Sequence, residues 1–181
     1  MAHICPWWGG YFIDNRLRRW LHDPDQLLAS YVAPGMVVLD VGCGMGHFSL
    51  AMARRVGENG RVIAVDLQPR MLQTVRRRAQ KLGLASRIVT QQCAPDDLGL
   101  TEVVQFALSF AVIHEIPNTQ SALQQVRAQL VPGGRFYVAE PRWHVSRGQF
   151  ARMVDVAQDV GLELVEEPRV RLCMAVVFQA R

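Results

Sequence analysis

Three glycines at alternate positions, Gly42, Gly44 and Gly46, separate an apolar run from a helix candidate in Val38-Leu-Asp-Val-Gly-Cys-Gly-Met-Gly-His47. Glycines at such a junction let the chain turn sharply and let a ligand approach the backbone with no Cβ in the way. The spacing is GxGxG. A dinucleotide fingerprint, GxGxxG, calls for its third glycine at 47, where this chain has His47. Asp40, on the run just before the loop, sharpens the distinction, because a carboxylate there repels a pyrophosphate and suits a ligand bearing an ammonium group. The next apolar run, Arg61-Val-Ile-Ala-Val65, closes on Asp66. An acid at the carboxyl end of a second strand can accept both hydroxyls of a ribose. Strand, glycine loop, helix, strand and terminal acid follow one another within about thirty residues, the length of one βαβ unit. That order calls for an adenosine-bearing ligand at the carboxyl ends of the strands.

A second group of reactive side chains follows a later apolar run, in Ser109-Phe-Ala-Val-Ile-His114-Glu115. An imidazole next to a carboxylate can act as a general base or orient a substrate. The plainer alternative is that His114 bonds a loop carbonyl or caps the next helix. Glu140 closes a further run before Pro141 and is expected at the same rim, with Arg142 as an available partner. The cysteines, Cys5, Cys43, Cys93 and Cys173, include no CxxC pair, which argues against a structural zinc site and a disulfide framework and for a reducing, cytoplasmic setting. No metal site is expected. His3, His22 and His144 have no partner at a diagnostic spacing and read as surface or capping residues.

The elements that must hold these residues are legible in the hydrophobic pattern. Strands are expected at 36–41, 61–65, 87–90, 103–110 and 135–139, with helices at 47–56, 70–82 and 119–130 between them. Near-continuous apolar strands separated by helices signal a parallel sheet covered on both faces. A helix at 145–160 then leads to runs at 162–166 and 170–178. The link between those two runs is too short for a parallel crossover, so they read as an antiparallel hairpin. The expected fold is α/β: a Rossmann-like seven-stranded sheet, mostly parallel, with a C-terminal antiparallel hairpin and helices on both faces. Ahead of it stand a helix at 15–31 and an aromatic leader containing Trp7, Trp8, Tyr11 and Phe12. Such a cluster either lids the cleft and lines a substrate pocket or packs on the sheet's flank.

The 181 residues suit one domain, and 50% hydrophobic with 20% charged residues excludes disorder and a disulfide mini-scaffold. The longest apolar run, 103–113, is about half the ~20 residues of a membrane span, and no signal peptide is read at the N-terminus. The net charge of +4 rests on nineteen arginines and Lys81. They are spread along the chain, and the densest cluster, Arg76-Arg77-Arg78, reads as a solvated helix face, so a nucleic-acid partner is not expected.

The stretches VLDVGCGMG (38–46), VIAVD (62–66) and LVPGGRFYVAEP (130–141) resemble the class I S-adenosylmethionine-dependent methyltransferases. The similarity covers about 34–180 and is nearest the small-molecule branch that includes quinone-biosynthesis and arsenite methyltransferases. It implies that S-adenosylmethionine binds and S-adenosylhomocysteine leaves. Asp40 and Gly42, Cys43, Gly44 and Gly46 would hold the methionine part, Asp66 the ribose hydroxyls, and Leu67 would pack on adenine. Ser109 and Phe110 would line the cofactor. The family's acid after the third strand is missing from Gln92-Cys93-Ala94-Pro95-Asp96, which leaves adenine to backbone groups of Cys93 and Ala94, or to Asp96 reaching back. Gln105 departs from the family's Asp at the start of the fourth strand. His114 and Glu115 fall where the family's strand exit borders the methyl group. Between the fifth and sixth strands there is one helix and no sizeable insertion, which favours a small-molecule acceptor. A non-catalytic cofactor-binding accessory protein and an RNA methyltransferase are the competing readings.

Overall fold

A computed structural model describes residues 21–181. In chain order these form α1 (Pro24–Leu27), β1 (Val37–Val41), α2 (His47–Val56), β2 (Arg61–Asp66), α3 (Pro69–Lys81), β3 (Ile88–Gln92), β4 (Val104–Phe110), α4 (Thr119–Gln129), β5 (Leu130–Pro141), α5 (Arg147–Asp159), β6 (Leu162–Glu166) and β7 (Cys173–Ala180). The seven strands make one sheet in the order β3-β2-β1-β4-β5-β7-β6. Strands β1 to β5 pair in parallel, and β7 runs antiparallel to both β5 and β6.

Alternation along each strand sends side chains to two apolar layers. Val38, Phe106, Leu108 and Tyr137 face a layer with Phe48, Met52 and Val56 of α2 and with Leu28 and Val32. Leu39, Val41, Ala107 and Val138 face the opposite layer, with Leu123 and Val126 of α4 and Met153 and Ala157 of α5. A strand buried on both faces has no polar side, which is why these segments read as continuous apolar runs. The order of strand addition reverses between β1 and β4. In open α/β sheets that reversal leaves a crevice outside the strands' carboxyl ends, where ligands bind.

Three elements depart from the sequence expectation. The helix expected over 15–31 is interrupted within the described residues: Asp23 is extended (φ −65°, ψ 110°) and its side chain caps a new short helix at the N–H of Asp25. Pro24 forces this, because its ring disfavours helical geometry in the residue before it. Strand β5 begins at Leu130, earlier than expected: Leu130 pairs with Val104, the register shifts, and Arg135 pairs with Phe106. The Pro132-Gly133-Gly134 turn is absorbed in this irregularity. Strand β7 starts at Cys173, three residues later than its apolar run suggests, after a turn in which Leu172 has φ 62°. Among the described residues, no helix is long and apolar enough to cross a membrane.

Candidate cofactor and acceptor site

The glycine loop leaves β1 and is held by β2. Cys43 N–H donates to the Val65 carbonyl at 2.9 Å, Gly44 N–H to Asp66 Oδ2 at 2.8 Å, and Gly46 N–H to the Cys43 carbonyl at 3.0 Å. Gly42 has φ 69°, and a Cβ there would collide with the Val112 side chain at the exit of β4. Gly44 has φ 52°, and a Cβ there would meet nothing within 4 Å. One glycine thus permits close packing within the protein, and the other faces open space. Asp66 lies beside that open side. Its other oxygen accepts the Gln68 N–H at 2.9 Å. Each carboxylate oxygen can accept more than one hydrogen bond, so Asp66 keeps acceptor capacity. Burial pushes its carboxyl above the usual range, while the two N–H donors work the other way.

Asp40 is buried and faces α2, where Ser49 Oγ donates to its Oδ2 at 2.5 Å. Its contact visible here joins the strand to the helix that follows the loop. On the adenine side, Leu67 is half-buried and its carbonyl accepts from Gln92. Cys93 N–H donates to the Asp66 carbonyl at 3.2 Å, and Ala94 N–H to the Asp97 carbonyl at 2.8 Å. The N–H groups of both residues are therefore engaged inside the protein. Asp96 is exposed, and its carbonyl is tied to Gln125. Burial, and then nearby carboxylates, push the thiols of Cys43 and Cys93 up, which keeps both protonated at neutral pH. The departure at Gln105 has a structural use: its Oε1 accepts the Val37 N–H at 2.7 Å and anchors the start of β1.

At the exit of β4, Ser109 is fully buried, with no partner for its hydroxyl among the described residues. Phe110 packs on Phe48 and, edge-on, on His22, with ring centroids 4.7 and 4.9 Å apart. Both residues, expected to line the cofactor, are buried. The next two residues are half-buried, and Ala111 takes a left-handed conformation (φ 62°) that is strained for a side chain. A 3₁₀ turn, Ile113–Glu115, then carries His114 and Glu115. His114 Nδ1 lies 2.5 Å from Glu140 Oε2, and Glu140 Oε1 accepts the Ile113 N–H at 2.8 Å. Glu140, expected at the rim, is 2% exposed and meets His114 from the buried side. Arg142 donates instead to the Cys173 carbonyl.

His22 is also reassigned. It is buried, with Nε2 2.8 Å from the Arg171 carbonyl, and its own carbonyl meets His47 Nε2 at 3.0 Å. His144 stacks on His114 at 5.6 Å. Trp7, Trp8, Tyr11 and Phe12, with His3 and Cys5, lie outside the described residues. Ser49 and Val112 join the expected residues at this site. Ser49 has a readable signal, a hydroxyl in the first turn of the helix after a GxGxG loop. Val112 has none, since its role follows from a contact across the sheet.

A loop tied to a terminal acid, with open space over its middle glycine, is a cradle that fits an adenosine and methionine ligand. Residues 33–171 match a family described as a methyltransferase domain. The chain belongs to the class I S-adenosylmethionine-dependent methyltransferases. The cofactor of this family is S-adenosylmethionine, and its product is S-adenosylhomocysteine. Among curated relatives, this chain is 32% identical over 117 residues to the ubiquinone/menaquinone biosynthesis C-methyltransferase UbiE of Hydrogenovibrio crunogenus, covering 61% of this chain and 44% of that protein. It is 27% identical over 138 residues to a carboxy-S-adenosyl-L-methionine synthase of Alteromonas mediterranea, covering 75% of this chain and 57% of that one. The chain thus spans about half the length of these relatives. A crystal structure of a SAM-dependent methyltransferase from Aquifex aeolicus shares the fold, with a TM-score of 0.88 at 22% identity over 98% of this chain and 100% of that one.

Proposed function

We propose that this chain transfers the methyl group of S-adenosylmethionine to a small-molecule acceptor. The observation that carries the reading is the bond from Gly44 N–H to Asp66 beside the open face of Gly44. In this reading Asp66 takes the ribose hydroxyls, the loop from Gly42 to Gly46 receives the methionine part, and Leu67, Cys93 and Ala94 border adenine. Asp40, tied to Ser49 in the first turn of α2, holds the methionine part together with that loop. When bound, the cofactor supplies an electrophilic methyl on a sulfonium, and the protein's task is to orient an acceptor and exclude water. A small acceptor is favoured by the quinone-biosynthesis names of relatives and by the single helix, α5, between β5 and β6. We place the protein in the cytoplasm, on the cysteine pattern, as one methyltransferase domain with its core over 34–181.

The test is a calorimetric titration with S-adenosylhomocysteine beside NAD, on the wild type and Asp66→Ala. Wild-type binding to S-adenosylhomocysteine alone, weakened roughly tenfold to a hundredfold in the variant, is expected from losing a charged hydrogen bond of about 1.5–3 kcal/mol. No wild-type binding would overturn the reading. Labelled methyl donor then assigns the acceptor, and label appearing in RNA with none in small molecules would replace the small-molecule class.

A further inference from the structure

Two large apolar side chains stand in water on neighbouring turns: Trp143 is 63% exposed and Leu172 is 50% exposed. The Arg142 N–H donates to the Leu172 carbonyl at 3.0 Å, and Arg142 Nε to the Cys173 carbonyl at 3.0 Å. These bonds tie the turn after β5 to the turn before β7. Each turn is also closed on itself. The His144 and Val145 N–H groups donate to the Pro141 carbonyl, and the Cys173 N–H donates to the Val170 carbonyl. Val145, Val170 and Cys173, in the same turns, are buried. A hydrogen-bonded backbone therefore holds both apolar side chains outward. Leu172 is held there at φ 62°. A glycine would take that conformation without strain and would put no apolar surface in water. A leucine carries both costs in the isolated chain, and a partner that covers it removes the second.

The charge around the pair identifies the partner. Residues 141–147 and 168–173 contain Arg142, Arg147, Arg169 and Arg171 and no Asp or Glu. Three of these, Arg142, Arg147 and Arg169, line a groove of about 830 Å³, where Asp155 and Glu167 are the acids. Arg147 and Arg169 are exposed, and their guanidinium groups enter no hydrogen bond or ion pair among the described residues. An indole and a leucine set among such guanidinium groups match the boundary of an anionic bilayer. The apolar side chains enter at headgroup level, and the arginines meet lipid phosphates. A stable protein interface instead buries about 800 Å² on each partner around an apolar centre, more than two side chains supply.

We propose that the Trp143 and Leu172 turns dock this protein on an anionic lipid surface, with Arg147 and Arg169 taking the headgroup phosphates. The Trp143 ring lies 6.3 Å from that of His144, which in turn stacks on His114 at 5.6 Å. The docking turns therefore stand at the carboxyl-end rim of the sheet, and docking brings that rim to the lipid. Binding of this kind requires neither a cofactor nor a particular methyl acceptor, so it holds or fails separately from the methyltransferase reading.

The test is co-sedimentation of the full chain with two kinds of vesicle, phosphatidylcholine alone and equal parts phosphatidylcholine and phosphatidylglycerol. Binding to the mixed vesicles alone is expected, and it should weaken as salt is added. Each arginine at an anionic surface contributes roughly fivefold in partitioning, so Arg147→Gln with Arg169→Gln should lower it by roughly 25-fold. Trp143→Ala should lower it on the order of tenfold through lost apolar burial. Arg77→Gln, on α3 at the other edge of the sheet, should leave it unchanged. Leu172→Gly separates docking from folding, because it should weaken vesicle binding while remaining at least as stable as the wild type in urea. Brominated acyl chains should quench a component of wild-type fluorescence that is missing in Trp143→Phe. Equal binding to both vesicles, or binding to neither, overturns the proposal. So does mixed-vesicle binding that Trp143→Ala and the arginine pair leave intact, which would place the contact on another face. Self-association that Trp143→Ala abolishes, without vesicle binding, would give the patch to a second copy of this chain and overturn it as well.

Discussion

Two glycines in one loop make different demands, and the difference is measurable. Gly42 has positive φ and its missing Cβ leaves room for Val112, whereas Gly44 has positive φ and open space. A side chain in the left-handed region costs about 1–2 kcal/mol by itself. Gly44→Ala should therefore lose about that much stability in urea unfolding, yet lose most of its affinity for S-adenosylhomocysteine, because its methyl would occupy the ligand's space. Gly42→Ala should be less stable still, since Val112 must also move, and packing strain of this kind costs about 1–3 kcal/mol more. Wild-type binding by Gly44→Ala would show that the ligand does not pass over that glycine. Asp40 offers a parallel lesson. Its residue type suggests direct contact with an ammonium group, and its carboxylate also accepts from Ser49 Oγ. Nothing in the spacing of Asp40 and Ser49 distinguishes a ligand contact from a helix anchor.

At the scale of elements, the legible parts were those whose ends carry their own chemistry. The α2 helix spans His47–Val56, as the pattern implies, because Gly46 and Gly57 bracket it with positive φ at both ends. The Asp66 terminus of β2 was equally plain. What stayed hidden depended on partners distant in sequence: the register shift that lengthens β5 answers to β4, and the burial of Ser109 and Phe110 answers to α2 and His22. The pairing of Glu140 with His114 is of this kind, since only adjacent β4 and β5 bring them together. Local chemistry that was overlooked also exists. Ser146 and Gln149 form a capping box at the start of α5, and Ser-x-x-Gln is a readable signature of one. Ser146→Ala should destabilise the protein by about 1 kcal/mol, within the 0.5–2 range for such caps. Because α5 covers the sheet away from the glycine loop, affinity for S-adenosylhomocysteine should be unchanged. A matching loss of affinity would show that α5 helps shape the cofactor site.

For the whole molecule, the proposed site is an assembly of strand ends: β1 leads into the loop, β2 ends on its acid, and the exits of β4 and β5 bring His114 and Glu140 together. None of these segments makes the cradle alone, so a ligand seated there binds the folded chain and not the unfolded one. At a free concentration of about 100 times its dissociation constant, such a ligand adds roughly 2.7 kcal/mol of stability. For a chain of this size each kcal/mol moves the melting temperature by about 2–4 °C. S-adenosylhomocysteine should then raise it by roughly 5–10 °C, and NAD at equal concentration should not. The shift should also persist in high salt, because the cradle reads its ligand through glycine backbone and a partly buried Asp66, which salt screens weakly. A shift that collapses in salt would instead assign the binding to the exposed arginines of α3, and with it the case for a polyanionic partner.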